Sequence, residues 1–285
     1  MGTMRQTAVI TGSTRGLGRG LAEELARRGY QVVVSAQGEE DSVRAAAEVS
    51  PDALGVPCDV SDADQVQRLW DRAVARFGAV DLWVNNAGLA LTGQPLATLP
   101  PEDFRTMLSI NLIGAMQGCQ VALRGMTAQA TGGRAGRIYT VLGAGADGQP
   151  VPGMTGYATT KRALQFLTHS LAQETAGGPV RIGAISPGLV MTEGFLREHR
   201  RMVAGPERAA RERWVNVIGD HVSTIAHWAC DIFASRHEQG AEFVWLSAEK
   251  IAARQRDEPG RDILSRYLRD EDGSPATGTQ EGATA

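Results

Sequence analysis

A chain of 285 residues, 42% of them hydrophobic, holds enough apolar material for one large α/β domain or two small ones. Its net charge of −3 gives no support to nucleic acid or an anionic membrane as the principal partner, and its three widely spaced cysteines, Cys58, Cys119 and Cys230, lack CxxC spacing, as expected of reduced thiols in the cytoplasm. No signal peptide is visible, Gln6 occupies the Ser/Thr position that a myristoylated Gly2 would need, and no apolar run approaches the ~18 residues of a membrane span, so a soluble protein is expected.

In chain order, runs rich in valine and isoleucine at Ala8–Ile10, Val32–Val34, Leu82–Val84, Arg137–Val141, Arg181–Ile185 and Glu242–Leu246 predict strands buried on both faces. Amphipathic stretches at Leu17–Gly29, Ala63–Phe77, Pro101–Ala128, Gly156–Ala176 and Val222–Ala234 predict helices between them. This alternation implies an α/β fold: a Rossmann-type, doubly wound parallel sheet in a single domain over 1–269. From about residue 270 the chain turns to Gly, Ser, Pro, Thr and acidic residues and is expected to be a disordered tail.

The first strand runs into Thr11-Gly12-Ser13-Thr14-Arg15-Gly16-Leu17-Gly18. Glycines at this spacing let the chain turn sharply, approach a pyrophosphate closely and aim the next helix N-terminus at negative charge. After the second strand come Ser35, Ala36, Gln37 and Gly38, with no acid before Glu39. A carboxylate there would bind the ribose 2′-hydroxyl of NAD, whereas Arg15 suits a 2′-phosphate, so NADP(H) is favoured over NAD(H).

The chain has only two lysines, and one stands four places after a tyrosine in Tyr157-Ala-Thr-Thr-Lys161. On a helix the two side chains share a face one turn apart, so the ammonium is expected to lower the phenol pKa from about 10 toward the range of general acid catalysis. By itself the pattern is more often a surface pair.

Together, these residues resemble the short-chain dehydrogenases/reductases. Cys58-Asp59-Val60, Asn85-Asn86-Ala87-Gly88, Asn111 and Ser186-Pro187-Gly188-Leu-Val190-Met-Thr192 follow the family's order and approximate spacing over about 7–246. The resemblance implies that Asp59 and Val60 border the adenine and that Asn86, Ala87 and Gly88 pass the adenosine ribose. It places Pro187, Gly188, Val190 and Thr192 at the nicotinamide. Lys161 would bond the nicotinamide ribose, Asn111 would help hold a water that relays protons to Lys161, and Tyr157 would protonate a carbonyl oxygen as hydride arrives at carbon. Homodimers or homotetramers through Pro101–Ala128 and Gly156–Ala176 are implied in the same way.

One family feature is missing. Gly143 stands at the position of the family's catalytic serine, with one extra residue before Tyr157. Loss of such a donor can cost on the order of 3 kcal/mol in the transition state. Thr140, Thr155, a bound water or a backbone amide in 143–145 are the candidate replacements, with the amide first because glycine admits close approach. The glycine and its flanks are similar to the chlorophyll b reductase branch. The expected function is NADPH-dependent reduction of a ketone or aldehyde on a hydrophobic substrate, polycyclic or secondary-metabolite carbonyls among them. The alternatives are a non-redox dehydratase or cyclase and a cofactor-binding sensor.

A substrate-loop insertion is expected at about 193–214. It is rich in arginine, with Arg197, Arg200, Arg201, Arg208, Arg211 and Arg213, and reads either as a lid or as a solvated helix. Leu89, Leu91, Leu142, Met154 and Phe195 are candidate pocket residues. His221, His227 and Cys230 lack a fourth ligand, so no metal is expected. Ile263, Leu264, Tyr267 and Leu268 lie at helical spacing in an extension that could cover either the pocket or a neighbouring subunit.

Overall fold

The structure, a computed structural model, describes residues 5–200 and 203–268. The expectations for the first four residues, Arg201 and the tail fall outside the described residues.

Seven parallel strands form the central sheet: β1 (Thr7–Thr11), β2 (Gln31–Ala36), β3 (Leu54–Pro57), β4 (Leu82–Asn85), β5 (Gly136–Val141), β6 (Val180–Ser186) and, last in the chain, β9 (Ala241–Val244). Their order in space is β3-β2-β1-β4-β5-β6-β9. The order reverses between β1 and β4, and in such sheets the crevice beyond the strand ends at this reversal is where ligands bind.

Alternation along each strand sends side chains into two cores. Ala8 and Ile10 pack on one face with α1 (Gly16–Arg27), α2 (Glu39–Val49) and α9 (Val222–Ala234). Val9, Val33 and Ile138 pack on the other with α3 (Ala63–Phe77), α5 (Gly114–Ala130) and α6 (Thr155–Glu174). Both faces are therefore dry, which explains the unbroken valine and isoleucine runs.

Helix α4 (Pro101–Leu108) continues through a π-helical segment, Ser109–Ile113, into α5. This continuous helix, Pro101–Ala130, is long and apolar enough to cross a membrane by length and composition alone. That departs from the expectation that no such run exists; here Met107, Cys119, Ala122 and Met126 of the helix are buried in the fold.

The sequence reading gave no range for α2 or β3 and did not foresee a second, two-stranded sheet, whereas helices in the 193–214 insertion and in the extension were among its readings. A short pair, β7 (Leu189–Val190) with β8 (Gly219–Asp220), brackets the helices α7 (Glu193–Arg200) and α8 (Pro206–Ile218). Beyond β9 the chain forms α10 (Ala248–Asp257) and α11 (Ser265–Leu268).

Candidate active site

The glycine turn closes on the loop after β4. Gly12 has φ of 63°, and a Cβ built on it would lie 2.8 Å from Ala87 Cα, so both the turn and the close approach require glycine there. A Cβ on Gly16 would meet Thr192 Cγ2 at 3.3 Å, which brings the β7 loop to the same place. Gly18 packs against Asn86 and the Gly12 carbonyl, and Leu17 lies in the core beneath the turn. Arg15, the N-cap of α1, makes no side-chain cap bond, and no acid occupies the helix's first turn. A helix N-terminus without a capping side chain leaves amides able to bind an anion. Thr14 is half-buried and Arg15 exposed, with no ion pair to the described residues.

Four side chains expected to touch cofactor are instead turned inward. Ser13 Oγ donates to Ile10 O at 2.6 Å and accepts from the Ser35 amide at 3.0 Å, and both serines are fully buried. Val60 packs against Gly114, and Val190 lies in the core, at 7% and 8% exposure. Asn86 is likewise a brace: its Nδ2 donates to the Thr11 and Gly12 carbonyls. Thr11, which the sequence reading passed over, is the node of this joint, because its Oγ1 accepts the amides of Asn86 and Ala87 at 3.0 Å each.

On the adenosine side, Gln37 Nε2 donates to Asp59 Oδ2 at 2.8 Å, while the Ser61 amide and hydroxyl bond Oδ1. Burial opposes ionisation of Asp59, yet these bonds hold its carboxyl below the usual range. Ala36 ends β2 and bonds through its amide to Ser42 Oγ.

Tyr157 and Lys161 emerge from consecutive turns of α6, with Nζ 5.6 Å from the phenol ring centroid. Lys161 is 5% exposed and donates to the Val141 carbonyl at 2.9 Å. Burial lowers its pKa to about 8 and pushes the Tyr157 phenol up to about 12. The phenol shift runs opposite to the expectation from the neighbouring ammonium, because desolvation of the phenolate dominates. The protonated form that can donate is thereby the stable one.

Gly143 faces this pair. A Cβ built on it would stand 2.5 Å from the Tyr157 hydroxyl and 3.4 Å from Lys161 Cε. Gly88 closes the other side, its built Cβ 3.5 Å from Asn111 Oδ1 and 3.8 Å from Lys161 Nζ. Asn111 sits in the π-helical segment, 1% exposed, where local unwinding turns it toward the site. Its side chain accepts from the Leu89 amide and donates to the Leu89 carbonyl and to Thr160 Oγ1. Those bonds use both amide protons, so the side chain is a strut between the loop after β4 and α6. Thr160, next to Lys161 and unflagged in the sequence, passes the bracing on by donating to the Tyr157 carbonyl at 2.7 Å.

The family model for short chain dehydrogenases matches residues 6–204. The chain belongs to the short-chain dehydrogenase family. It is 32% identical over 228 residues to a chloroplastic chlorophyll(ide) b reductase of Arabidopsis thaliana, covering 77% of this chain and 63% of that one. The chain thus spans less than two thirds of that plant relative. It is 32% identical to a 3beta-hydroxysteroid dehydrogenase 1 of Eggerthella lenta over 81% of this chain and 88% of that one. Among solved structures, a substituted actinorhodin polyketide ketoreductase with NADPH superposes with a TM-score of 0.76 at 25% identity, covering 86% of this chain and 97% of that one. A 3-ketoacyl-(acyl-carrier-protein) reductase of Brucella melitensis complexed with NADH gives 0.74 at 25% identity, over 85% and 98%. The scaffold is that of the short-chain dehydrogenases.

On this short-chain dehydrogenase scaffold, Pro187 is buried and Gly188, with φ of 72°, packs under Leu246. Thr192 Oγ1 accepts the Phe195 amide at the start of α7. Helices α7 and α8 are tied by His199–Glu212 at 3.0 Å and Arg211–Glu198 at 3.1 Å. The extension's destination is within its own chain: Ile263 and Leu264 join Met191, Leu196 and Val215 in one apolar cluster. Buried Asp220 locks it there, accepting both Arg254 bonds at 2.8 Å, one from Arg261 and one from Trp245. Of the candidate pocket residues, Leu142 belongs to the core, while Leu89, Leu91, Met154 and Phe195 are half-buried. His221 bonds Tyr267, His227 bonds Glu24, and Cys230 is in the core, so these three do not converge.

Proposed function

We propose that this chain is an NADPH-dependent carbonyl reductase for aldehydes or ketones of hydrophobic compounds, with Tyr157 as proton donor. The observation that carries the reading is the convergence of Tyr157, Lys161, Gly143 and Gly88 at the sheet's reversal point, beside a glycine turn with an uncapped helix N-terminus.

The residues fit a nicotinamide dinucleotide. The Gly12–Gly16 turn and α1 amides would hold the pyrophosphate, Asp59 and Gly88 would border the adenosine, and Thr192 and Lys161 would hold the nicotinamide end. When bound, NADPH supplies a hydride equivalent. Arg15, exposed and unpaired among the described residues, supports a 2′-phosphate partner, as does the lack of an acid at the end of β2. The chain's own task is proton chemistry. As the carbonyl carbon gains hydride and its π bond opens, the oxygen takes the Tyr157 proton and an alcohol leaves. Lys161 then lies beside the phenolate, where its charge stabilises the anion until solvent returns the proton.

Half-buried Leu89, Leu91, Met154 and Phe195 support an apolar substrate, as does the kind of compound named for the chlorophyll(ide) and hydroxysteroid relatives. Self-association through α5 and α6 goes with this reading, supported by exposed Ile113, Met116 and Phe166. The test is NADPH oxidation with a panel of quinones, ketones, hydroxysteroid precursors and formyl aromatics. Turnover with at least one is expected. Tight NADPH binding without any turnover would favour a sensor, and product without absorbance change a non-redox enzyme.

A further inference from the structure

We propose that the backbone amide of Gly143 is the second donor to the substrate's carbonyl oxygen, and that glycine at 143 lets the Tyr157 phenol stand in the space a side chain would fill. This rests on the carbonyl reductase reading. The hydroxyls that could replace a serine are turned elsewhere. Thr140 is 2% exposed and its hydroxyl meets the buried Cys119 thiol in the core beneath α5, while Thr155 stands exposed at the start of α6.

Strand geometry aims the Gly143 amide. In a strand between two parallel neighbours, successive residues direct their N–H and C=O groups to opposite sides. The Leu142 amide goes to Ile185 O of β6 at 2.8 Å, so Val141 points the other way, toward β4, and the same alternation carried two residues past the end of β5 aims the Gly143 amide to that side. β4 is no longer there: its pairing with β5 ends at Asn85 opposite Thr140. Val141 O on that side receives Lys161 Nζ. The Gly143 N–H therefore opens into the crevice beside Lys161 and donates no hydrogen bond to the described residues.

A turn fixes it in place. Ala146 N bonds Gly143 O at 3.1 Å and Gly145 has φ of 85°, the pattern of a type II turn. The turn abuts α6, since a Cβ on Gly145 would meet Ala158 Cβ at 2.3 Å. Amide and phenol thus present two protons to one oxygen; the phenol transfers its proton and the amide keeps its own.

The experiment replaces residue 143 by glycolic acid through nonsense suppression, which exchanges only the N–H for an ester oxygen, and compares it with Gly143→Ala and Gly143→Ser. The ester should lower kcat roughly 10²–10³-fold with the NADPH Kd unchanged. Gly143→Ser should be no better than Gly143→Ala, both below wild type. An ester enzyme with wild-type kcat, or a serine variant at or above wild type, would overturn the proposal. If wild type reduces no carbonyl compound, the reductase reading fails, and the steric half is read without turnover. With the four tyrosines labelled at 13Cζ, the Tyr157 resonance, assigned by its loss in Tyr157→Phe, should move in Gly143→Ala while the others stay. An unmoved Tyr157 resonance would remove the contact on which the proposal stands.

Discussion

Replacing Lys161 by methionine isolates the consequence of keeping an ammonium beneath the crevice. Burial lowers this pKa from 10.5 to about 8, and at 5% exposure little solvent screening intervenes. Between those values the unfolded chain keeps a proton on the amine that the folded chain has released. Stability therefore rises with pH across that window: the destabilisation is complete below about 8 and relieved as pH passes 10.5. The shift corresponds to about 3 kcal/mol in total, of which roughly 2 kcal/mol falls between about pH 7.5 and 9.5. Lys161→Met has no such proton. In urea titrations, the unfolding free energy of wild type minus that of the variant should rise by roughly 2 kcal/mol over that interval, with groups common to both cancelling. Tyr157, pushed up to about 12, enters with the opposite sign only above about pH 10. A difference that stays flat or falls with pH would refute a desolvated ammonium at this position.

Arg254→Ala should destabilise the fold by about 3 kcal/mol, toward the lower end for breaking a buried pair because Asp220 keeps Arg261 and Trp245. Calorimetry should show Tm falling by several degrees, and Arg254→Lys should not restore it, since one ammonium cannot serve both the Asp220 carboxylate and the Val217 carbonyl, which Arg254 reaches with separate nitrogens. Since the Met191 amide bonds the Asp220 carbonyl, the same change should also weaken cofactor binding next to Thr192, measurable by fluorescence titration. Arg15→Ala should weaken NADPH binding about tenfold and leave NADH nearly unchanged. Equal losses for both cofactors would take the 2′-phosphate away from Arg15.

What the sequence made legible is what spacing dictates. Tyr157 and Lys161 are four apart on a helix, and the glycine turn stands between a strand and a helix, so their positions follow from backbone periodicity alone. Gly143, aligned from the strand start with the family's serine, lies beside the Tyr157 hydroxyl. Side-chain direction was less legible. Ser13 looks like a cofactor ligand in a motif, yet the Ile10 carbonyl and the Ser35 amide claim its hydroxyl first. The π-helical segment at Asn111 depends on tertiary packing, and nothing in Ser109–Ile113 announces it. The sign of the Tyr157 shift was missed because desolvation, invisible in a sequence, outweighs the neighbouring charge. The extension's partner was hidden for a related reason. Asp220 and Arg254 are 34 residues apart, and the packing of α10 on α8 brings them together.

Isotope transfer tests the reductase reading most directly. With NADPH deuterated at the transferring C4 position and a carbonyl substrate from the panel, wild type should yield an alcohol with deuterium on the former carbonyl carbon. Tyr157→Phe should bind the cofactor as tightly and yield none. Alcohol formed without deuterium, or formed equally by Tyr157→Phe, would contradict hydride transfer coupled to a Tyr157 proton.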